Sequence, residues 1–228
     1  MTVRLISGRR SGRTSGEISL IIKKIVLGDW RTNCYIVVSE STNEGFIIDP
    51  GDNPSAILDV VKDNHWKIKW LVATHGHIDH IGAIGHLNAV LKCPLAIHSQ
   101  DASALQGDSR FFWGKPFGPA LKADRLLSEG DIIKVADLRF QVVNTPGHTL
   151  GGICLYGHGL LFSGDSLFRG SIGSSNIGTG TRPQLVKSIM EKLLSLPAET
   201  IIYPGHGSTT TIEEEKLHNP FLYARDNF

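Results

Sequence analysis

Trp70-Leu71-Val72-Ala73-Thr74-His75-Gly76-His77-Ile78-Asp79-His80 is the stretch that decides how this chain is read. An apolar run of strand character leads straight into four candidate metal ligands, His75, His77, Asp79 and His80, within six positions. His75 and His77 alternate, so an extended backbone sends both side chains the same way, whereas Asp79 and His80 fall at the start of a helix and approach from another side. Histidine and carboxylate donors crowded at a strand end in this way serve two metal ions better than one.

Three further segments place one donor each in the same setting. Val142-Val143-Asn144-Thr145-Pro146-Gly147-His148 ends a strand with a Pro-Gly turn and His148; Leu161-Phe162-Ser163-Gly164-Asp165 brings Asp165; Ile202-Tyr203-Pro204-Gly205-His206 repeats the Pro-Gly-His arrangement. Together the four segments supply five His and two Asp. That is enough to give each of two metals three protein ligands, with a carboxylate and a water shared between them.

Around these segments run short apolar stretches rich in β-branched residues. They predict strands over 18–26, 34–38, 45–48, 69–73, 95–98, 132–135, 138–143, 153–156, 160–163 and 200–203. Helices are predicted over 56–62, from Asp79 through 85–91, and over 184–196, where Leu185, Ile189, Leu193 and Leu196 recur at helical spacing. The order departs from strict strand–helix alternation. It predicts an α/β sandwich: two mixed β-sheets packed face to face with helices on the outer faces.

Composition narrows the function. The chain has 228 residues and a net charge of +1, from 23 Lys plus Arg against 22 Asp plus Glu, which excludes a strongly basic nucleic-acid-binding surface. No apolar run approaches the roughly 20 residues of a membrane span. Cys34, Cys93 and Cys154 are an odd number without a CxxC pair and are read as buried small hydrophobes in a reducing compartment, placing the protein in the cytoplasm. Residues 1–17, with Arg4, Arg9, Arg10 and Arg13 among Ser and Gly, are read as an N-terminal extension outside the fold, and 18–228 as a single domain. The remaining histidines, His65, His86, His98, His158 and His218, are read as bystanders, and Glu213-Glu214-Glu215-Lys216 as a solvated helix face.

At THGHIDH, PGHT, SGD and PGHG, in that order, the sequence resembles the metallo-β-lactamase superfamily and, within it, the short-form glyoxalase II-like hydrolases. The resemblance implies an αββα sandwich, with His75, His77 and His148 on one metal, Asp79, His80 and His206 on the other, and Asp165 bridging. It also implies catalytic parts for Asp79 and Asp165. The metals expected are two divalent ions, zinc first, with iron or manganese as alternatives. Two departures stand out: Ser174 and Asn176 occupy positions where those relatives carry Arg and Asp, and the sequence ends at Phe228 without the long form's glutathione-holding helical domain.

The chemistry expected is hydrolysis of a small acyl thioester, resembling that of a hydroxyacylglutathione hydrolase, by a metal-bridged hydroxide attacking the carbonyl. Thiolate leaves readily, so little general acid is needed, and no dedicated proton donor stands out. The alternatives are a mononuclear iron persulfide dioxygenase, a lactone or β-lactam hydrolase, and a non-catalytic metal-binding module. Dioxygenase relatives tend to use the first metal site alone, so a complete second set argues for hydrolysis. The segment QGDSRFFWGKPFGPA, 106–120, is read as a loop with an apolar lining in which Phe111, Phe112, Trp113 and Phe117 contact the substrate.

Overall fold

The strand Thr32–Ser39 is buried at every residue, on both faces, and that fact fixes the layering around it. The computed structural model describes residues 2–5, 18–114, 118–175 and 179–223, with side chains from residue 18 onward. In chain order the elements are β1 (Thr2–Leu5), β2 (Ile18–Leu27), β3 (Thr32–Ser39), β4 (Glu44–Ile48), α1 (Pro54–Asp63), β5 (Lys67–Val72), α2 (Ile78–Ile81), α3 (Ile84–Leu91), β6 (Leu95–His98) and β7 (Arg125–Leu127). There follow β8 (Ile132–Val135), β9 (Leu138–Asn144), β10 (Ile153–Gly157), β11 (Leu160–Gly164), β12 (Leu167–Phe168), β13 (Ser171–Ile172), α4 (Arg182–Ser188), β14 (Ile201–Pro204), β15 (Thr210–Thr211) and α5 (Ile212–His218).

Seven strands form one sheet in the order β1 to β7, antiparallel as far as β4 and parallel beyond it. Six form the second, β15-β14-β11-β10-β9-β8, antiparallel except where β11 meets β14. The period of two along each strand divides the apolar residues between layers. Tyr35, Val37, Phe46 and Ile48 meet Phe140, Val142, Leu160 and Phe162 between the sheets, with Phe46 and Phe140 edge to face at 5.4 Å. On the outer face of the first sheet, Cys34, Ile36 and Val38 pack with Ile57, Val61, Ile84 and Leu87 of α1 and α3. Outside the second, Cys154, Leu161 and Ile202 pack with Leu185, Val186 and Ile212 of α4 and α5. The result is the predicted sandwich of two mixed sheets between helical layers, and all three cysteines are free and buried in it. No helix among the described residues is long and apolar enough to cross a membrane.

Four details depart from the sequence reading. Thr2–Leu5, set aside with the extension, pairs with β2 as an edge strand; residues 6–17 lie outside the described residues. The helix expected from Asp79 to Leu91 breaks between α2 and α3 because the backbone at Pro50-Gly51 presses on it. Pro50 O accepts from Ala83 N at 3.0 Å, and a Cβ on Gly82 would lie 2.4 Å from Gly51 O. The helix expected over 184–196 is regular only to Ser188, then widens over Ile189–Leu193, with Leu194 N donating to Ile189 O.

The fourth concerns Glu215, which is buried rather than solvated. Its carboxylate accepts from Thr210 Oγ1 at 2.6 Å, Asn219 Nδ2 at 2.7 Å and Gly170 N at 2.9 Å, tying α5 to the loop after Asp165. Removing it strands three donors, so Glu215→Ala is expected to lower unfolding stability in urea by about 3 kcal/mol, against under about 0.5 kcal/mol for exposed Glu213→Ala. Equal, small effects would contradict the tie.

His158, in the β10–β11 turn, accepts from Arg139 N at 3.1 Å and is held below the usual imidazole value by burial, which outweighs the pull of Asp137. The folded chain therefore prefers the neutral ring. Its contribution is present above the unfolded value of about 6.5 and is lost as pH falls below it. Urea midpoints of wild type measured from pH 8 to pH 5 should fall more steeply than those of His158→Gln, and parallel curves would contradict this.

Candidate metal centre

The first sheet delivers His75 and His77 from the β5–α2 connection and Asp79 and His80 from α2 itself. Asp49, one residue past β4, holds that connection in place. Its Oδ1 accepts from Thr74 N at 2.7 Å, and its Oδ2 accepts from Thr74 Oγ1 at 2.7 Å and from His80 Nδ1 at 2.9 Å. A second buried carboxylate, Asp101, accepts from Gly76 N at 3.0 Å and Gly151 N at 2.8 Å, so it joins the His75–His77 loop to the loop carrying His148. Burial raises its carboxyl above the usual range despite these bonds.

The second sheet delivers His148, Asp165 and His206 from the ends of β9, β11 and β14. The two sheets approach closely enough here that side chains are excluded at two glycines. A Cβ on Gly164, whose φ is +48°, would lie 2.4 Å from Thr74 Oγ1, and one on Gly205 would lie 2.8 Å from His80 Cε1. Asn33 fastens the last loop across the gap. It donates from N to Gly205 O at 2.7 Å and from Nδ2 to Pro204 O at 2.8 Å and Gly207 O at 3.0 Å.

All seven sequence-predicted donors converge. His75 Nε2 lies 3.0 Å and His148 Nε2 2.9 Å from His77 Nδ1; His80 Nε2 lies 3.4 Å from His206 Nε2, from Asp79 Oδ2 and from Asp165 Oδ1. His148 Nε2 and His206 Nε2 stand 3.6 Å and 3.5 Å from Asp165 Oδ2, so Asp165 sits between the two groups. Thr32 Oγ1 donates to Asp79 Oδ2 at 2.8 Å.

Hydrogen bonds on the far side of the rings set which nitrogens are bare. His148 Nδ1 faces Ser174 O at 2.5 Å, His206 Nδ1 faces Trp30 O at 3.1 Å, and His80 Nδ1 faces the Asp49 carboxylate. Each of those oxygens only accepts, so each Nδ1 carries a proton and a neutral ring presents a lone pair at Nε2. His80 and His206 therefore point lone pairs at one another and at two carboxylates. Asp165 Oδ1, buried, makes no hydrogen bond. Nitrogen lone pairs and carboxylate oxygens that face one another without intervening protons are the donor set a divalent cation satisfies.

Burial and neighbouring charges move these groups from their ordinary values in opposite directions. Burial pulls the His206 ring down, but hydrogen bonds to Asp165 and Asp79 outweigh it and push the value up to about 9; for His80 burial is outweighed by the charges of Asp79, Asp165 and Asp49, which raise it well above the usual value. Burial first, then neighbouring imidazoles, hold His75 well below the usual value, and burial with His148 brings His77 to about 3. Burial opposes ionisation of Asp79, but His80 and the bonds from His206 and Thr32 bring it to about 2.

A cavity of about 510 Å³ opens over the centre, walled by Trp30 and Trp113 and floored by His77, Asp79, His148, Asp165 and His206. Of the aromatic residues read as substrate contacts, Trp113 lines it, with its ring 4.8 Å from that of His77. Phe111 and Phe112 do not: both are buried in the core under the first sheet, Phe111 closing over Gly76. Phe117 and Asn176 lie outside the described residues. Sequence reasoning missed Trp30, Asp49 and Asp101. Asp49 alone carried a usable signal, since Ile48-Asp49-Pro50-Gly51 puts an acid and a Pro-Gly turn at a strand end like the donor segments.

A profile of the metallo-beta-lactamase superfamily matches residues 27–206, and the chain belongs to that superfamily. It is 33% identical over 210 residues to hydroxyacylglutathione hydrolase GloC of Haemophilus influenzae, spanning 90% of this chain and 99% of that protein. Among solved structures, BLEG-1 B3 metallo-beta-lactamase superposes with a TM-score of 0.84 at 36% identity, covering 90% of this chain and all, 100%, of the other. ETHE1 from Myxococcus xanthus gives 0.78 at 29%, covering 91% and 88%, and TTHA1623 in a di-iron-bound form gives 0.76 at 35%, covering 88% and 100%.

Asp101 makes a testable demand on the scaffold. Asp101→Ala leaves the Gly76 and Gly151 N–H groups buried and unpaired, and is expected to cost about 2–4 kcal/mol of unfolding free energy in urea. A loss under about 0.5 kcal/mol would show that the two loops do not rely on it.

Proposed function

We propose that this protein is a dinuclear metal-dependent hydrolase of small acyl thioesters. His75, His77 and His148 would hold one ion and Asp79, His80 and His206 the other, with Asp165 placed to serve both. Zinc is the ion expected first. Histidine nitrogen and carboxylate oxygen also suit iron or manganese, and the similarity to TTHA1623 in its di-iron-bound form keeps iron in view. When bound, such ions supply a water acidic enough to ionise near neutral pH and polarise a carbonyl.

The observation that carries the thioester reading is what the cavity lacks. Among the described residues lining it, none is a lysine, tyrosine, serine or threonine; its three imidazoles, His77, His148 and His206, are taken up as ion ligands in this reading, and its two carboxyls are held ionised. A leaving amine would need a proton from such a group, whereas a leaving thiolate does not. Asp79, kept in position by Thr32, offers an ionised oxygen at the cavity floor that can orient a water by accepting a hydrogen bond from it. The similarity to GloC supports the same reading. The β-lactam alternative draws on BLEG-1, and the dioxygenase alternative is disfavoured by the complete second donor set.

The reading predicts stoichiometry and substrate together. Purified protein given excess zinc should bind close to two ions per chain by elemental analysis, His206→Ala close to one, and Asp165→Ala should weaken both and lower kcat by about 100-fold or more. On a panel of thioester, lactone and β-lactam substrates, kcat/KM should be highest for thioesters. Full activity with one ion, or a preference for the β-lactam, would overturn it.

A further inference from the structure

His148 is oriented from outside the donor set by Ser174 O, which accepts from its Nδ1 at 2.5 Å. Ser174 lies past β13, and most of the chain between it and Asp165 is the hairpin of β12 and β13, joined by two ladder pairs, Leu167 with Ile172 and Phe168 with Ser171. A hairpin of that size does not hold its own position. The chain beyond it folds back without slack: a side chain at Gly173 would run into Asp165 O and bring a Cβ to 3.2 Å from His148 Nδ1. On the other side, the Phe168 ring meets that of His206 edge to face at 6.0 Å. A shift of the hairpin would therefore be felt at all three donors of the second sheet.

The end of α5 is what fixes the hairpin. Glu215 Oε2 accepts from Gly170 N, in the hairpin turn, at 2.9 Å and from Asn219 Nδ2 at 2.7 Å, and Asn219 Nδ2 also donates to Ser171 O at 3.0 Å. The other carboxylate oxygen, Oε1, accepts from Thr210 Oγ1 at 2.6 Å, four residues past His206. Glu215 and Asn219 are each 1% exposed, so water does not stand in for these bonds. The bonds to Gly170, Ser171 and Thr210 all reach outside α5, and they join the segment after Asp165 to the segment after His206. Resting on the ion centre of the reading above, we propose that Glu215 and Asn219 are positioning residues for that centre. They set where Ser174 O meets His148 and, through Thr210 and Phe168, where His206 stands. A carboxamide in place of the carboxylate keeps an oxygen for Gly170 and Asn219 and turns its NH2 toward Thr210 Oγ1, a hydroxyl that accepts as well as donates. Glutamine at 215 therefore preserves the placement, and alanine abolishes it.

Zinc dissociation constants of the full chain, measured by chelator competition without denaturant on variants whose circular dichroism matches wild type, test this. Asn219→Ala and Glu215→Ala are expected to raise at least one constant about tenfold, Glu215→Gln by less than about threefold, and exposed Glu213→Ala to leave both unchanged. Imidazole-ring NMR gives a readout that a merely structural role would not move. The signal of the His148 Nδ1 proton should shift or broaden in Asn219→Ala, while that of His80 Nδ1, held by Asp49, stays in place. An unchanged zinc affinity or an unchanged His148 signal in Asn219→Ala overturns the assignment, whatever happens to its unfolding stability. A loss in Glu215→Gln equal to that in Glu215→Ala would assign the effect to charge instead of position, and overturns it too. Should Glu215→Ala not fold, Asn219→Ala and Glu215→Gln carry the test. If wild type binds no zinc, the ion-centre reading fails, and the His148 signal alone decides the positioning: moved in Asn219→Ala it supports the clamp, unmoved it refutes it.

Discussion

The Asp49 carboxylate, with its bonds from Thr74 N, Thr74 Oγ1 and His80 Nδ1, is the constraint from which the centre is built. It sits at the end of β4, with φ at +50°, a conformation asparagine and aspartate tolerate better than other side chains. From there it fixes the point where β5 gives way to the His75–His77 loop and, one helical turn later, the orientation of His80. The Pro50-Gly51 turn that follows is pressed so tightly on α2 that a Cβ on Gly51 would lie 1.5 Å from Asp79 O. Two buried acids outside the donor set, Asp49 and Asp101, thus place four donors of the first sheet and couple them to the second.

Much of this was legible because it is local. The seven donors sit at the ends of short apolar runs, and the Pro-Gly turns mark where each run stops, so strand ends and donors were read together. Strands such as 95–98 and 132–135 were bounded correctly by their β-branched content. Glycine-excluded contacts explain what was not legible: nothing in the local pattern of Gly82 says that Gly51 O will lie against it, and so the break between α2 and α3 was invisible.

The aromatic segment shows the same limit from the other side. Phe111, Phe112 and Trp113 are consecutive and equally apolar, yet the first two turn into the core and the third turns to the cavity, at a φ of +45°. Composition cannot distinguish them, since the difference lies in which side of a short 3-10 turn, Ser109–Phe111, faces the His75–His77 loop. Trp30 escaped notice for a related reason: its role depends on His206, 176 residues away, whose Nδ1 it holds through a backbone carbonyl that no residue type encodes. Glu215 reads as one more acid in an acidic run until α5 is docked on β15.

The donors are shared between the halves of the sandwich. His75, His77, Asp79 and His80 ride on one sheet, His148, Asp165 and His206 on the other, and each cluster of three mixes both. Neither half of the chain therefore owns a complete cluster, and their spacing follows from the interlocked, mutually tilted rings of Tyr35, Phe46, Phe140 and Phe162 deep between the sheets. The geometry offered to an ion is in that sense a property of a hydrophobic interface some distance away. Drift in the size of those buried rings during evolution would retune ion preference with every ligand left unchanged.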